Sequence, residues 1–370
     1  MKTRWFFMML LAIASKTASS QCTDVTVDAI SNFIPLSIDS VFETAGMRNG
    51  PDYKGATLYY PISGSSNYKS IVLVPGYFAS EKSVAAWARY FASRGFVAMT
   101  IGTNNLYDQP SVRALALLDG METVRQENSR ITSPVYNKLD VDNIAVGGWS
   151  MGGGGAQLAA VLDTSIKAVF AITPWLQYST LTPAALSHTA PVFILSGQID
   201  NVAPPTQHAN VHYNYTPAST KKILFEIVSG THNTPLYPAT GNGDAGNVVI
   251  AWMNLFLNND DCYCAMVVND SLNQNATASN FLTTVNCEST VSTKPESIEK
   301  STLKIYPNPT SSLIRLSNDA YLGAAFEIIS ALGQVVQSGT LTSDVLDLSA
   351  LNTGFYYLKI SNMVFKIAKA

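Results

Sequence analysis

The chain has 370 residues, 47% of them hydrophobic and only 13% charged, with a formal net charge of −3. That much apolar material fills a large core and a second, smaller unit. The slight negative charge argues against nucleic acid or an anionic membrane surface as the main partner and favours recognition through apolar and aromatic surface.

At the start, Lys2 and Arg4 precede an apolar run from Trp5 to Ala14, and small residues follow as far as Ser20. The run is too short to span a bilayer, so residues 1–20 read as a signal peptide cut after Ser20, with Ala18 and Ser20 at the small-residue positions. Gln21, bulky and just ahead of Cys22, speaks against a lipoprotein. The expected destination is outside the cell or on its surface. In that oxidising setting Cys22, Cys262, Cys264 and Cys287 are expected to pair. A zinc site is disfavoured because "CYC" has one intervening residue, where such sites space their ligands more widely. Cys262 or Cys264 is expected to bond Cys287; the partner of Cys22 stays open.

Residues 21–287 alternate short apolar runs with helical periodicity. Buried strands are predicted at 70–76, 96–102, 143–148, 166–173, 192–197 and 222–230. Helices are predicted at 83–95, where Val84, Trp87 and Phe91 share a face, and at 111–128, 153–162 and 248–258. Strand and helix in alternation imply an α/β domain, a mostly parallel sheet covered on both faces. Residues 288–301 are polar without apolar period and read as a linker. From 302 to 370, short strands ("SLIRLS", "AFEIIS", "QVVQSG", "DVLDLS", "FYYLKI", "VFKIAK") are broken by "YPNPTSS", "ALG" and "LNTG", which suggests a small all-β sandwich.

In α/β domains ligands bind outside the carboxyl ends of the strands. Ser150 falls there, at the turn between "NIAVGG" and a helix, with Gly148 and Gly152 two residues to either side. A sharp strand-to-helix turn leaves no room for side chains at those flanking positions, and it lifts the serine hydroxyl clear of the sheet. Gly153 to Gly155 are expected to let the helix lie close against the sheet. A serine needs a base, and the base needs an orienting acid. His232 in "SGTHNTP" and Asp200 ending "VFILSGQID" each follow a buried strand, which makes Ser150, Asp200 and His232 the candidate triad. His208 and His212, four apart, read as a solvated helix face rather than a metal pair, and His188 leads into a strand. Candidate oxyanion donors are the backbone N–H groups of Met151 and Tyr77, the latter in "VLVPGYFAS". No metal or organic cofactor is called for.

With these residues in place, "VPGYFAS", "DQPSVRALALLDGM", "GWSMGGGG", "ITPW", "GQIDNVAP", "SGTHNTP" and "AWMNLFLNND" together resemble the cutinase-like polyester hydrolases, including the PET hydrolases. The resemblance implies a lidless α/β-hydrolase fold and the same triad. It also implies an aromatic platform, with Tyr77 and Trp175 flanking a cleft lined by Trp149, Met151 and Val202. Asn233 stands where the familiar PET hydrolases often carry Ser or Phe, and "CYC" is not the usual cysteine placement. The C-terminal segment resembles a type IX secretion sorting domain, opened by "IYPNPTSS" and closed by a short basic tail. Expected partners are an ester substrate and the type IX export machinery, with the chain acting as a monomer. A general carboxylesterase or lipase is the nearest competing reading, and a surface-binding protein on an inactive hydrolase scaffold is one of another class.

Overall fold

The computed structural model describes residues 22, 24–63, 67–268, 277–287, 305–317, 321–330, 334–360 and 363–370. The expected signal peptide and the whole of the expected linker lie outside them. The chain divides into two compact units after Glu288.

In the first unit the elements run, in chain order, α1 (Val27–Ser31), β1 (Ile38–Phe42), β2 (Ala56–Pro61), β3 (Tyr68–Val74), α2 (Ala85–Ser93), β4 (Val97–Ile101) and α3 (Pro110–Ser129). They continue with β5 (Leu139–Trp149), α4 (Met151–Leu162), β6 (Ala168–Ile172), β7 (Val192–Gly197), α5 (Ala209–Tyr215), β8 (Lys222–Ile227), α6 (Asp244–Leu257), α7 (Cys264–Val268) and β9 (Ala278–Thr283). The strands form one sheet in the order β1-β2-β4-β3-β5-β6-β7-β8-β9. From β4 to β8 every neighbouring pair is parallel. The outer pairings, β1 to β2, β2 to β4 and β8 to β9, are antiparallel.

Alternation along the strands divides the core into two. On β6, Ala168, Phe170 and Ile172 join a cluster with Trp87 and Phe91 of α2 and Trp252 of α6. Val169 and Ala171 point the other way, toward Ala114 and Leu117 of α3 and Ala156 and Ala159 of α4. Successive side chains of a strand face opposite sides, so a strand buried on both faces reads as one continuous apolar run. Val84, Trp87 and Phe91 are fully buried, as their spacing predicts. Each of the larger side chains contributes roughly 1.5–3 kcal/mol through burial. Predicted boundaries shift by a few residues: α4 begins at Met151 rather than 153, and α6 at Asp244 rather than 248. Disulfides join Cys22 to Cys262 and Cys264 to Cys287. Among the described residues, no helix is long and apolar enough to cross a membrane.

The second unit is all β: β10 (Ile305–Tyr306), β11 (Leu313–Leu316), β12 (Ala325–Ser330), β13 (Val335–Thr340), β14 (Val345–Asp347), β15 (Gly354–Ile360) and β16 (Met363–Lys369). These form a three-stranded sheet, β10-β11-β14, and a four-stranded one, β13-β12-β15-β16. Alternate residues of both sheets, among them Ile314, Leu316, Phe326, Ile328, Leu346 and Leu358, make a separate core.

Candidate active site

Ser150 occupies the sharp turn between β5 and α4 with φ +58° and ψ −119°, a backbone region that costs roughly 1–3 kcal/mol and persists only where its surroundings enforce it. Here they do. Ser150 N–H donates to the Ile172 carbonyl at 2.8 Å, and its own carbonyl accepts from Trp175 N–H at 2.9 Å. A Cβ on Gly148 would lie 2.5 Å from the Gly152 carbonyl, and one on Gly152 would strike the Val74 carbonyl. The two flanking glycines therefore provide clearance for the turn. The later glycines differ from the expectation that all of them face the sheet. Gly153 abuts sheet carbonyls, but Gly154 faces Trp175 and Leu176, and Gly155 faces Pro110 and Arg113 of α3. They let α4 approach three different neighbours.

Asp200 and His232 follow β7 and β8, adjacent strands of the sheet. Their loops are fastened together: Ile199 N–H donates to the Gly230 carbonyl at 2.8 Å, and Ser229 N–H to Gln198 Oε1 at 2.9 Å. His232 Nδ1 meets Asp200 Oδ2 at 2.7 Å, while the other carboxylate oxygen accepts from the backbone N–H groups of Val202 and Ala203, both at 2.8 Å. Burial alone would raise the Asp200 pKa. The hydrogen bonds from His232 and the backbone, with the charge of His232, outweigh it and hold the carboxyl below its ordinary value. Trp149 Nε1 donates to the His232 carbonyl at 3.1 Å, and the two rings lie 5.2 Å apart, which sets His232 beside the turn that carries Ser150.

The loop after β3 closes the site from the other side. A Cβ on Gly76 would fall 2.9 Å from both the Ser150 Cβ and the Trp149 ring, so only glycine lets this loop approach so closely. Tyr77 is next in the chain. Among the described residues, neither Tyr77 N–H nor Met151 N–H donates to another backbone carbonyl.

Around this centre Tyr77 is 50% exposed, Val202 and Asn233 are exposed, and Trp149, Met151 and Trp175 are half-buried. Tyr77 belongs to an aromatic group beyond the platform that the resemblance implies: Tyr107 lies 5.4 Å from it edge-on, and Phe78 lies 5.6 Å from Tyr107. The "LYD" loop between β4 and α3 carried the signal, since two apolar residues at a strand's carboxyl end stand next to the "PGY" loop once β3 and β4 pair. The Trp175 ring stacks on His208, 6.0 Å away and inclined by 29°. Here the sequence expectation fails. His208, just before α5, is buried against Trp175, and His212 within α5 is fully buried with its Nδ1 3.0 Å from Gln157 Nε2 of α4, so neither faces solvent. His188, also buried, has Nδ1 3.0 Å from the Ala190 carbonyl. Among the described residues no group of three or more His, Cys, Asp or Glu is arranged to hold a metal ion. The connection from β6 to β7 buries its own Leu176, Leu181 and Leu186 against Leu158 and Val211, which keeps it to one side as a packed loop.

Both units resemble known proteins. Residues 24–288 match the PET hydrolase-like family, and residues 304–370 match the secretion system C-terminal sorting domain. Cutinase est1 of Thermobifida alba is 34% identical over 225 residues, 60% of this chain and 72% of the cutinase. Cutinase 1 of Thermobifida cellulosilytica is 33% identical over 241 residues, 65% of this chain and 86% of its own length. A bis(hydroxyethyl) terephthalate hydrolase of Streptomyces coelicolor is 32% identical over 212 residues, 57% of this chain and 64% of the relative. The sorting domain carries the protein across the outer membrane by type IX secretion. With an α/β unit matched almost from end to end, the chain belongs to the PET hydrolase-like family.

Proposed function

We propose that this protein is an exported, monomeric ester hydrolase that cleaves polyesters through an acyl-enzyme on Ser150. The observation that carries the reading is the buried Asp200–His232 pair held beside a strained strand-to-helix serine. His232 removes the hydroxyl proton as Ser150 Oγ attacks the ester carbonyl carbon. Charge develops on the carbonyl oxygen, where the N–H groups of Met151 and Tyr77 receive it. Asp200 keeps the imidazole in the useful tautomer and stabilises its protonated form. His232 then gives its proton to the leaving alkoxide, and the alcohol departs. Water repeats the cycle on the acyl-enzyme, releasing the acid and restoring Ser150. Water is the only co-reactant the balance requires.

Support for a polymeric substrate comes from the half-exposed aromatic group of Tyr77, Phe78 and Tyr107, and from the names of the cutinase and bis(hydroxyethyl) terephthalate hydrolase relatives. Exposed aromatic edges suit a chain lying on a solid better than a small acyl group enclosed on all sides. The chemistry is tested with an alkyl p-nitrophenyl phosphonate, whose phosphorus an activated serine attacks with loss of p-nitrophenolate. One adduct per chain, mapped to Ser150 by peptide mass spectrometry and blocking ester hydrolysis, is expected. An adduct elsewhere, or activity surviving complete labelling of Ser150, contradicts the reading.

A further inference from the structure

Arg113, near the start of α3, is fully buried, and among the described residues no carboxylate lies in salt-bridge contact with it. Burial pulls its pKa down to about 10, so it remains a cation at neutral pH. Its guanidinium spends its donors on three backbone carbonyls: Nη1 to Pro75 at 2.9 Å, Nε to Asp108 at 3.0 Å and Nη2 to Leu106 at 3.2 Å. A buried cation is costly to desolvate, and here three backbone carbonyls and the nearby charge of Asp108 offset that cost.

The three carbonyls lie where the site is assembled. Pro75 directly precedes Gly76, which packs on Ser150 and Trp149, and Tyr77, the proposed second oxyanion donor. Leu106 and Asp108 bracket Tyr107, the aromatic neighbour of Tyr77. The two loops meet again where Phe78 N–H donates to the Leu106 carbonyl at 2.8 Å, with Phe78 itself at φ +54°. The Pro75 carbonyl lies close to both Gly152 and the Arg113 guanidinium. Gly155 makes this possible: a Cβ there would sit 3.0 Å from the Arg113 Cβ, so its absence lets α3 come close enough for the guanidinium to reach beneath the loop.

We infer that Arg113 is a positioning residue. It clamps the 75–78 and 105–108 loops together, so that Tyr77 N–H is aimed at the developing oxyanion before substrate arrives. A planar fork reaches three carbonyls at fixed angles, whereas a lysine ammonium is a single point donor on a flexible stem. The role rests on the reading of Tyr77 as an oxyanion donor. Removing one such donor outright costs on the order of 100- to 1,000-fold in kcat. A donor that is present but badly aimed loses part of that.

The test uses the full chain as Arg113→Met and Arg113→Lys, with Tyr53→Phe as a control. Tyr53 is a buried residue bonded to Thr123 farther along α3, outside the site. Kinetics on a soluble p-nitrophenyl ester are compared with inhibition by a boronic acid that mimics the tetrahedral intermediate. The expected result for Arg113→Met is a 10- to 100-fold fall in kcat, KM within about twofold, and boronate affinity weakened in proportion to kcat. Arg113→Lys falls between it and the parent, and Tyr53→Phe keeps its kcat. Should Arg113→Met fail to fold, Arg113→Lys carries the test through the same proportionality. Unchanged kcat in the folded variants, or a loss matched by Tyr53→Phe at equal destabilisation, overturns the clamp. Ser150→Ala separates the two ideas: if it keeps activity, the nucleophile reading fails; if it is dead while Arg113→Met is normal, only the clamp fails.

Discussion

Asp200 shows how much of this site is local electrostatics. Both its oxygens are engaged, by two backbone N–H groups and by His232, and the net effect is a carboxyl held below its ordinary pKa despite its burial. Asp200→Asn retains the size and a hydrogen-bonding group but removes the charge that supports the imidazolium. In the proposed mechanism kcat falls by about 1,000- to 10,000-fold with KM little changed, measured on a soluble ester. Gly76→Ala makes the complementary point about space. Its methyl would be driven against the Ser150 Cβ and the Trp149 ring, so a loss of at least about tenfold in kcat is expected while the chain still folds, checked by circular dichroism beside the kinetics.

At the scale of elements, α5 carries the largest departure from expectation. His212 and, just before β7, His188 are buried and neutral, with burial pulling their pKa values down to about 3 and about 4. The unfolded chain takes up protons near pH 6.5 that the fold refuses until far lower. Their contribution is complete above pH 6.5 and is lost as pH falls toward about 4, at no more than about 1.4 kcal/mol per pH unit for each. Urea unfolding at pH 7, 6 and 5 should therefore show the midpoint falling throughout. This window lies above the one in which Asp200, whose pKa is depressed, loses its contribution by protonation. A midpoint flat from pH 7 to 5 contradicts it, and His212→Gln should flatten part of the slope. The inward turn of α5 was illegible because its cause is non-local: His212 meets Gln157, 55 positions earlier. The same reason hid Arg113, a lone charge in a helical pattern whose partners are carbonyls. The parallel strands were legible because burial on both faces writes continuous apolar runs. The outer strands β1 and β9 are only partly buried, mix polar with apolar residues and left no such run. The Asp200–His232 pairing could be anticipated because each residue follows a buried strand, and those strands are neighbours.

The whole molecule separates reaction from address. The residues proposed for catalysis lie in the first unit, which has its core on both faces of its own sheet, and the second unit has a separate core to itself. Deleting residues 302–370 is expected to leave kcat and KM on a soluble ester unchanged and to stop release into the medium of a host that uses type IX secretion. Normal secretion of the truncated chain contradicts the sorting role.

The central claim, that Ser150 hydrolyses a solid polyester, meets its most direct test in one comparison. The exported chain and its Ser150→Ala variant are incubated with amorphous PET film, with an aliphatic polyester suspension and with a short soluble ester, and the released acids are measured by chromatography. The account predicts release from a solid polyester by the parent chain and none by Ser150→Ala. Release from the soluble ester alone contradicts it, moves the protein to the carboxylesterases and reduces the Tyr77–Phe78–Tyr107 group to surface packing.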